Sequence, residues 1–245
     1  LKAQKTVETL YSALSNTLGG DESTYIPATS MFILNDIESV SYFKDLAKQH
    51  SPLLKQVGYK KQLATENMRL QRADFAPQVA LTGMAAFYNY QVSPIIPKWA
   101  VGAGVSLKIF DGLNREYKFS AAKSQIRQVE AVGHQAESDI LTLIDKLYNE
   151  MVTYSQQLPS VNASGRFAEE YLRIKEEAFK EGAAPSSDVV DARLNLAKIR
   201  IERLQAAYYY DMILARLLEA CGQSELFPDY GKRAAAMPIR YEHDF

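Results

Sequence analysis

Apolar residues along this chain recur in two rhythms. Over most of its length they return every three or four positions, as on a helix that buries one face. Over two short stretches they alternate with small or polar residues, as on a strand with one apolar face. Val7, Leu10, Leu14 and Leu18 mark a first helix, which Gly19 and Gly20 end. A second is predicted from Asp36 to His50, where Ser51-Pro52 restarts the chain with serine as N-cap and proline at the first helical position. That third helix continues to Asp74.

The period then shortens. In "FAPQVALTGMAAFYNYQ", Phe75, Pro77, Val79, Leu81, Gly83, Ala85 and Phe87 alternate with Gln78, Ala80, Thr82, Met84 and Tyr88. In "KWAVGAGVSLKIF", Trp99, Val101, Ala103, Val105, Leu107 and Ile109 share one face, and Ala100, Gly102, Gly104, Ser106 and Lys108 the other. The two runs predict strands of roughly 17 and 12 residues, joined as a hairpin across "VSPIIP". Tilted strands of about nine to eleven residues cross an outer membrane, apolar outside and polar or small inside, with aromatics at the rims. Trp99, Tyr88 and Tyr90 fit such a rim. An ordinary amphipathic hairpin packed on a helix carries the same alternation, so the hairpin alone leaves both readings open.

The longest helical pattern follows Asp111-Gly112. Phe119, Ala122, Ile126, Val129, Gly133, Ala136, Ile140, Leu143 and Leu147 alternate threes and fours; Glu150 interrupts the series before Tyr154 resumes it. The stretch "LPSVNASG" (158–165) is expected to kink or interrupt the helix, which resumes to Glu181. As one rod, residues 113–181 would be roughly 100 Å long, more than a compact domain of this size needs. The next helix, from Asp188 to Ala220, repeats the seam with Val190, Leu194, Ala197, Ile201, Leu204 and Tyr208. The pair reads as an antiparallel hairpin of long helices with "KEGAAPSSDVVDAR" (180–193) at its tip. In that tip Gly182 permits the backbone turn. Asp188 and Asp191, about 300° apart round a helix, share a face away from the Val190–Leu194 seam. Ser186 or Ser187 capping the helix, with acids in its first turn at the positive end of the dipole, explains the pair without a further role.

Composition narrows the choice. Apolar residues make up 47% and charged residues 23% of 245, which excludes a disordered tail and a helical membrane protein. No apolar run reaches the eighteen or so residues of a membrane helix. A net charge of −1 gives no reason to expect nucleic acid. Cys221 is the single cysteine, so neither an intrachain disulfide nor a multi-cysteine metal site is available. His50, His134 and His243 stand far apart without metal-ligand spacing, and no cofactor is expected. Gly102-x-Gly104 lies within a strand and lacks the third glycine and following helix of a dinucleotide loop. No enzyme reading survives.

"ALSNTLGGDESTYIP" near the start resembles "RLLEACGQSELFPDY" near the end: leucine seam, terminating glycine, acidic-serine turn, extended proline segment. On this reading residues 1–35 finish one repeat and an equatorial-type connection. About 200 further residues with another long hairpin are then expected upstream of Leu1. Residues 36–74 would be helices leading to a barrel, 75–111 a membrane β-hairpin, 112–222 a long helical hairpin with its tip near 182–188, and 223–245 an equatorial-type tail.

Three stretches in order resemble the outer-membrane efflux proteins, the TolC-like family. They are "HSPLLKQVGYKKQLATENMRLQRADFAPQVALTG", "WAVGAGVSLKIFDGLNR" and "FKEGAAPSSDVVDARLNLAKIRIERLQAAYYYDMILARLLEACG". The resemblance covers residues 39–222 and implies a mainly α fold with one β-hairpin: long antiparallel coiled-coil helices plus two strands of an outer-membrane β-barrel, half of a TolC-like protomer. It implies a homotrimer when full length, set in outer-membrane lipid of a Gram-negative bacterium with a periplasmic extension. It further implies a passive exit duct joined by a periplasmic adaptor to an inner-membrane pump. By the same resemblance Trp99, Val101, Val105, Leu107 and Ile109 face lipid, Phe179, Asp188 and Asp191 line a periplasmic gate, and Glu181, Gly182 and Ala183 form the adaptor-docking tip. Phe179 keeps the family's aromatic without its hydroxyl, and Ala183 and Ala184 lack the basic partner often found there, so inter-helix hydrogen bonds or salt bridges are not expected at these positions. The alternative is a soluble periplasmic coiled-coil adaptor or scaffold, whose helices share such seams.

Overall fold

The computed structural model describes residues 2–19, 30–34, 36–85 and 99–234. In chain order these form α1 (Lys2–Leu18), α2 (Val40–His50), α3 (Pro52–Ala73), β1 (Gln78–Ala85), β2 (Trp99–Ser106), α4 (Asn114–Lys180), α5 (Ser186–Ala220), a 3-10 turn (Ser224–Leu226) and α6 (Phe227–Ala234). They divide into two compact units. One comprises residues 38–147 and 216–224; the other comprises residues 1–37, 148–215 and 225–245.

In the unit of residues 38–147 and 216–224, Phe43 and Ala47 of α2, Ile140, Ile144 and Leu147 of α4, and Leu217, Leu218 and Cys221 form the buried core. Cys221 donates its thiol to the Phe43 carbonyl, and burial pushes that thiol up to about 11. Ser51 and Pro52 take the expected N-cap and first-helical positions of α3, although Ser51 makes no side-chain capping bond. Ion pairs Lys44–Asp145 (2.6 Å) and Lys61–Glu130 (3.0 Å) join α2 and α3 to α4. At the end of α5 the Gly222 N–H donates to the Glu219 carbonyl and the Gln223 N–H to the Leu218 carbonyl, a Schellman ending. Gly222 has φ +70°, and a β-carbon there would sit 2.3 Å from the His50 carbonyl oxygen. The glycine therefore does more than stop a helix. It lets the junction of α2 and α3 lie against the end of α5.

β1 and β2 pair antiparallel, Gln78 opposite Ser106 through Ala85 opposite Trp99. Among the described residues each strand has eight, and β1 begins at Gln78 rather than at Phe75, where the alternation begins. Residues 86–98, including Tyr88 and Tyr90, lie outside the described residues. At the other end the ladder stops at Ser106, so Leu107 and Ile109 follow β2 rather than belonging to it. The chain turns there through Asp111, Gly112 and Leu113, the last at φ +67°.

In the unit of residues 1–37, 148–215 and 225–245, the second part of α4 and most of α5 lie side by side. Met151, Val161 and Ala168 of α4 are buried, as are Val189, Ala192, Leu196, Ala206 and Tyr210 of α5. Two expectations change here. Helix α4 runs unbroken through Pro159, because buried positions on both sides outweigh a local breaker worth about 3 kcal/mol. The α5 seam is also not the predicted one. Val190, Leu194, Ile201 and Tyr208 are exposed, and the buried set is offset from them by roughly 150° round the helix. Both sets keep three-four spacing, so periodicity alone does not choose between them.

Residues 30–34 form a strap in the same unit. Phe32, Ile33 and Leu34 are buried, and the Phe32 ring meets Tyr210 edge-on and Phe227 at a tilt. Ser155 donates its hydroxyl to the Leu34 carbonyl (3.3 Å), and the Phe32 N–H donates to the Asp211 carboxylate (3.2 Å). Burial pushes the Asp211 carboxyl up to about 7, against the opposing effect of the Phe32 hydrogen bond. Gly19 and Gly222, the two glycines of the sequence repeat, share positive φ at helix ends.

Two outcomes follow from these contacts. Gly222→Ala should lower stability by roughly 3 kcal/mol or more, since left-handed strain and a backbone collision add, whereas Gly182→Ala should cost about 1–2 kcal/mol from strain alone. Denaturant midpoints of the two variants compare them directly. Asp211 holds its proton more tightly folded than unfolded, so its contribution is complete below the ordinary value of 3.8 and is lost as pH rises to about 7. Over that window the melting temperature of the native chain should fall relative to that of Asp211→Asn.

Candidate functional site

The tip is built by two helix ends. α4 closes on Lys180, and the Gly182 N–H donates to the Phe179 carbonyl (3.0 Å) while the Ala183 N–H donates to the Ala178 carbonyl (2.8 Å). This is a second Schellman ending, with Gly182 at φ +75° and open space where a β-carbon would stand. Glu181, Gly182 and Ala183 are therefore an exposed, hydrogen-bonded turn. α5 starts at Ser186, so neither Ser186 nor Ser187 occupies the capping position; both lie inside the first turn with Asp188. The acid still meets the positive end of the helix dipole.

Asp188 and Asp191 differ in surroundings. Asp191 is exposed, whereas Asp188 is half-buried and accepts a hydrogen bond from the Lys175 ammonium of α4 at 2.7 Å. That bond, the largest influence on the lysine, holds Lys175 above its ordinary range. Lys175 also lies over the Tyr171 ring, 5.6 Å from its centre. Two further pairs cross between the helices: Arg193–Glu176 at 2.6 Å and Arg200–Glu169 at 3.4 Å. Phe179 stands half exposed in the last turn of α4. The expectation that positions 179, 183 and 184 supply no such bond is not contradicted, but the tip does carry an inter-helix ion pair. The cation comes from further back along α4, not from positions 183 or 184. Lys175 and Asp188 stand on either side of Gly182 at nearly equal sequence distance, and an antiparallel pair brings such positions together. That symmetry was the available signal.

The hairpin forms a second surface. Its register puts Val79 opposite Val105, Leu81 opposite Ala103, Gly83 opposite Val101 and Ala85 opposite Trp99, which pleating places on one face. Ala80, Thr82 and Met84 stand opposite Gly104, Gly102 and Ala100 on the other. The bulky face is bare, with Val79 at 70%, Leu81 at 80% and Val101 at 75% exposure. Trp99 and Val105 share it, and Leu107 and Ile109 are exposed beyond its end. Among the described residues no helix is long and apolar enough to cross a membrane, and no histidine, cysteine and acid cluster could hold a metal.

A family model described as "Outer membrane efflux protein" matches residues 44–223. The open state of the Neisseria gonorrhoeae MtrE outer membrane channel is similar in structure, with TM-score 0.74 and 18% identity over 91% of this chain and 52% of that one. A membrane protein from Pseudomonas aeruginosa gives TM-score 0.71 at 17% identity, covering 90% of this chain and 51% of that one. The outer membrane protein VceC from Vibrio cholerae gives 0.67 at 17% identity, covering 89% and 53%. The chain spans about half the length of each of these structures. No curated protein matches it.

Removing either partner of the tip pair should loosen the turn. Lys175→Met and Asp188→Asn should each speed amide exchange over residues 181–188 roughly twofold to fivefold, and the double variant should exchange no faster than the singles. Mass-resolved hydrogen exchange checks this. Raising salt should narrow the gap between native and variant chains, because the pair is partly exposed.

Proposed function

The chain belongs to the outer membrane efflux protein family, and on that premise we propose that it is part of an outer-membrane exit duct gated at its helical tip. In this reading the bulky face of the hairpin meets lipid, and the small-residue face lines an aqueous lumen. The observation that carries the reading is the register of that hairpin. It sorts large apolar side chains to one bare face and glycine, alanine and threonine to the other. A soluble adaptor would enclose such a face within its own subunit, so the exposure of Val79, Leu81 and Val101 weighs against that alternative.

The helices support an oligomer. α5 carries Val190, Leu194, Ile201 and Tyr208 on a bare stripe well away from its seam, and α4 carries Phe167, Tyr171 and Ile174 on another. Each helix thus has more apolar surface than its neighbour in the chain covers. Repetition of the same hairpin round an axis would bury both stripes, and a homotrimer of the full-length protein supplies that repetition. At the tip, the Lys175–Asp188 pair would hold neighbouring helices together, and Asp191 would present a carboxylate ring to the lumen. Opening is then a parting of helix pairs, with no bond made or broken. Glu181, Gly182 and Ala183 form the exposed turn to which a periplasmic adaptor would dock, linking the duct to an inner-membrane pump.

The reading is tested on the full-length protein. Leu194→Glu should weaken assembly at least about tenfold in sedimentation while leaving helix content intact, since it places a charge in an intersubunit contact. Leu196→Ala should leave assembly stoichiometry unchanged but cost about 2–5 kcal/mol of stability, since it empties the intrachain seam. Reconstituted in liposomes, the native protein should conduct ions; a monomeric, non-conducting native protein would refute the duct.

A further inference from the structure

At the foot of the hairpin, on the face that carries its small residues, lies a cleft of about 60 Å³. By a measure in which about 10–15 Å³ holds one water, it has room for an ion the size of phosphate. One of its walls neutralises itself. The Arg115 guanidinium pairs with Asp111 at 3.4 Å, donates to the carbonyls of Asp74 and Ile109 at 3.4 Å each, and lies 5.1 Å over the Phe75 ring. Both side chains of the pair are mostly buried, so this wall is fixed and brings no net charge.

The other polar side chains of the cleft are uncommitted. Gln78 and Ser106, which stand opposite each other in the ladder, line it together with Lys108, Asn114 and Lys118. These five are exposed, and their side chains enter no hydrogen bond or ion pair among the described residues. Asp74 lines the cleft too, and its carboxylate is likewise exposed and without a partner among the described residues. Two ammonium groups against one carboxylate leave a surplus positive charge, with three neutral donors beside it.

We propose that this cleft binds hydrogen phosphate. The charged oxygens of the ion sit between Lys108 and Lys118, where Gln78, Ser106 and Asn114 also donate to them, and its hydroxyl donates to Asp74. The pattern of charges selects this occupant. Two ammonium groups call for an anion, and a carboxylate, which only accepts, calls for a hydrogen-bond donor. Hydrogen phosphate meets both demands, because at neutral pH it keeps an O–H together with its charge. Sulfate and chloride have no proton to give and set their charge against Asp74. A small amino acid can pair with both signs but has no net charge, so it gains less from a positive cleft. The placement of the site in the lumen rests on the reading of the hairpin as a membrane segment. The ligand goes beyond that reading, for it gives the duct an anion site where the strands meet the helices.

The test uses the full-length protein in nanodiscs, with the conductance of the same preparation recorded in planar bilayers. Equilibrium dialysis at neutral pH and fixed ionic strength measures the binding of labelled phosphate, sulfate and glycine. The native protein should hold phosphate at least about tenfold more tightly than either of the others. Lys108→Ala/Lys118→Ala should weaken phosphate binding at least about tenfold, and Asp74→Asn should bring phosphate and sulfate to within about twofold. All three side chains are exposed, so the variants should fold as the native protein does. The site is overturned, and the duct left standing, if a conducting native protein does not prefer phosphate. The same holds if the double lysine variant keeps its phosphate, or if Asp74→Asn still rejects sulfate. Phosphate binding with these variant effects in a native protein that does not conduct overturns the duct and leaves the anion site. Absence of both binding and conductance overturns both.

Discussion

Helix α5 carries apolar side chains on two faces, and the chain can bury only one of them. Val189, Ala192, Leu196 and Tyr210 pack within the subunit, while Val190, Leu194, Ile201 and Tyr208 remain bare on a face far round the helix. An isolated coiled-coil hairpin needs one seam. A helix in a closed ring of helices needs two, because it has a neighbour on each side. Much of what is unusual about this molecule follows from that surplus: the absence of a single amphipathic face on the long helices, and small positions such as Gly165 beside Ile199 where helices approach. The bare face of the β-hairpin states the same incompleteness in the other secondary structure.

The tip is held by forces of two kinds. Its turn is fixed by backbone hydrogen bonds around Gly182, which no change in charge disturbs. What spans the two helices near it is a set of partly exposed ion pairs led by Lys175–Asp188. Exposed pairs contribute little individually and weaken with salt. On the proposed gating, such a set would release more readily than a tightly packed apolar contact. The carboxylate of Asp188 is therefore both helix punctuation and a cross-helix partner.

The sequence showed element types more clearly than it showed partners. Three-four spacing located the long helices, and alternation located the strands and the face each residue takes, as the register of Val79 with Val105 and Thr82 with Gly102 bears out. Gly182 and Gly222 were legible as helix ends. Pro159 misled because propensity is local, whereas the packing that overrides it comes from residues far along the chain. The α5 seam misled for a more instructive reason: two apolar stripes share one spacing, and only tertiary structure shows which of them the subunit buries. Lys175 escaped notice because its partner lies across a turn, not one helical turn along the same face. The contact of Gly222 with the His50 carbonyl left no trace in composition or period.

The central claim is that the second stripe of α5 is buried by another copy of the chain. Thiol labelling of the assembled full-length protein measures this most directly, since the native Cys221 is buried and out of reach. A polar maleimide should label Asp191→Cys readily and Leu194→Cys many times more slowly in the oligomer, with the two rates converging once the oligomer is dissociated. Equal labelling of both positions in the intact oligomer would contradict the account, for the stripe would then face water and the subunit would have no use for it.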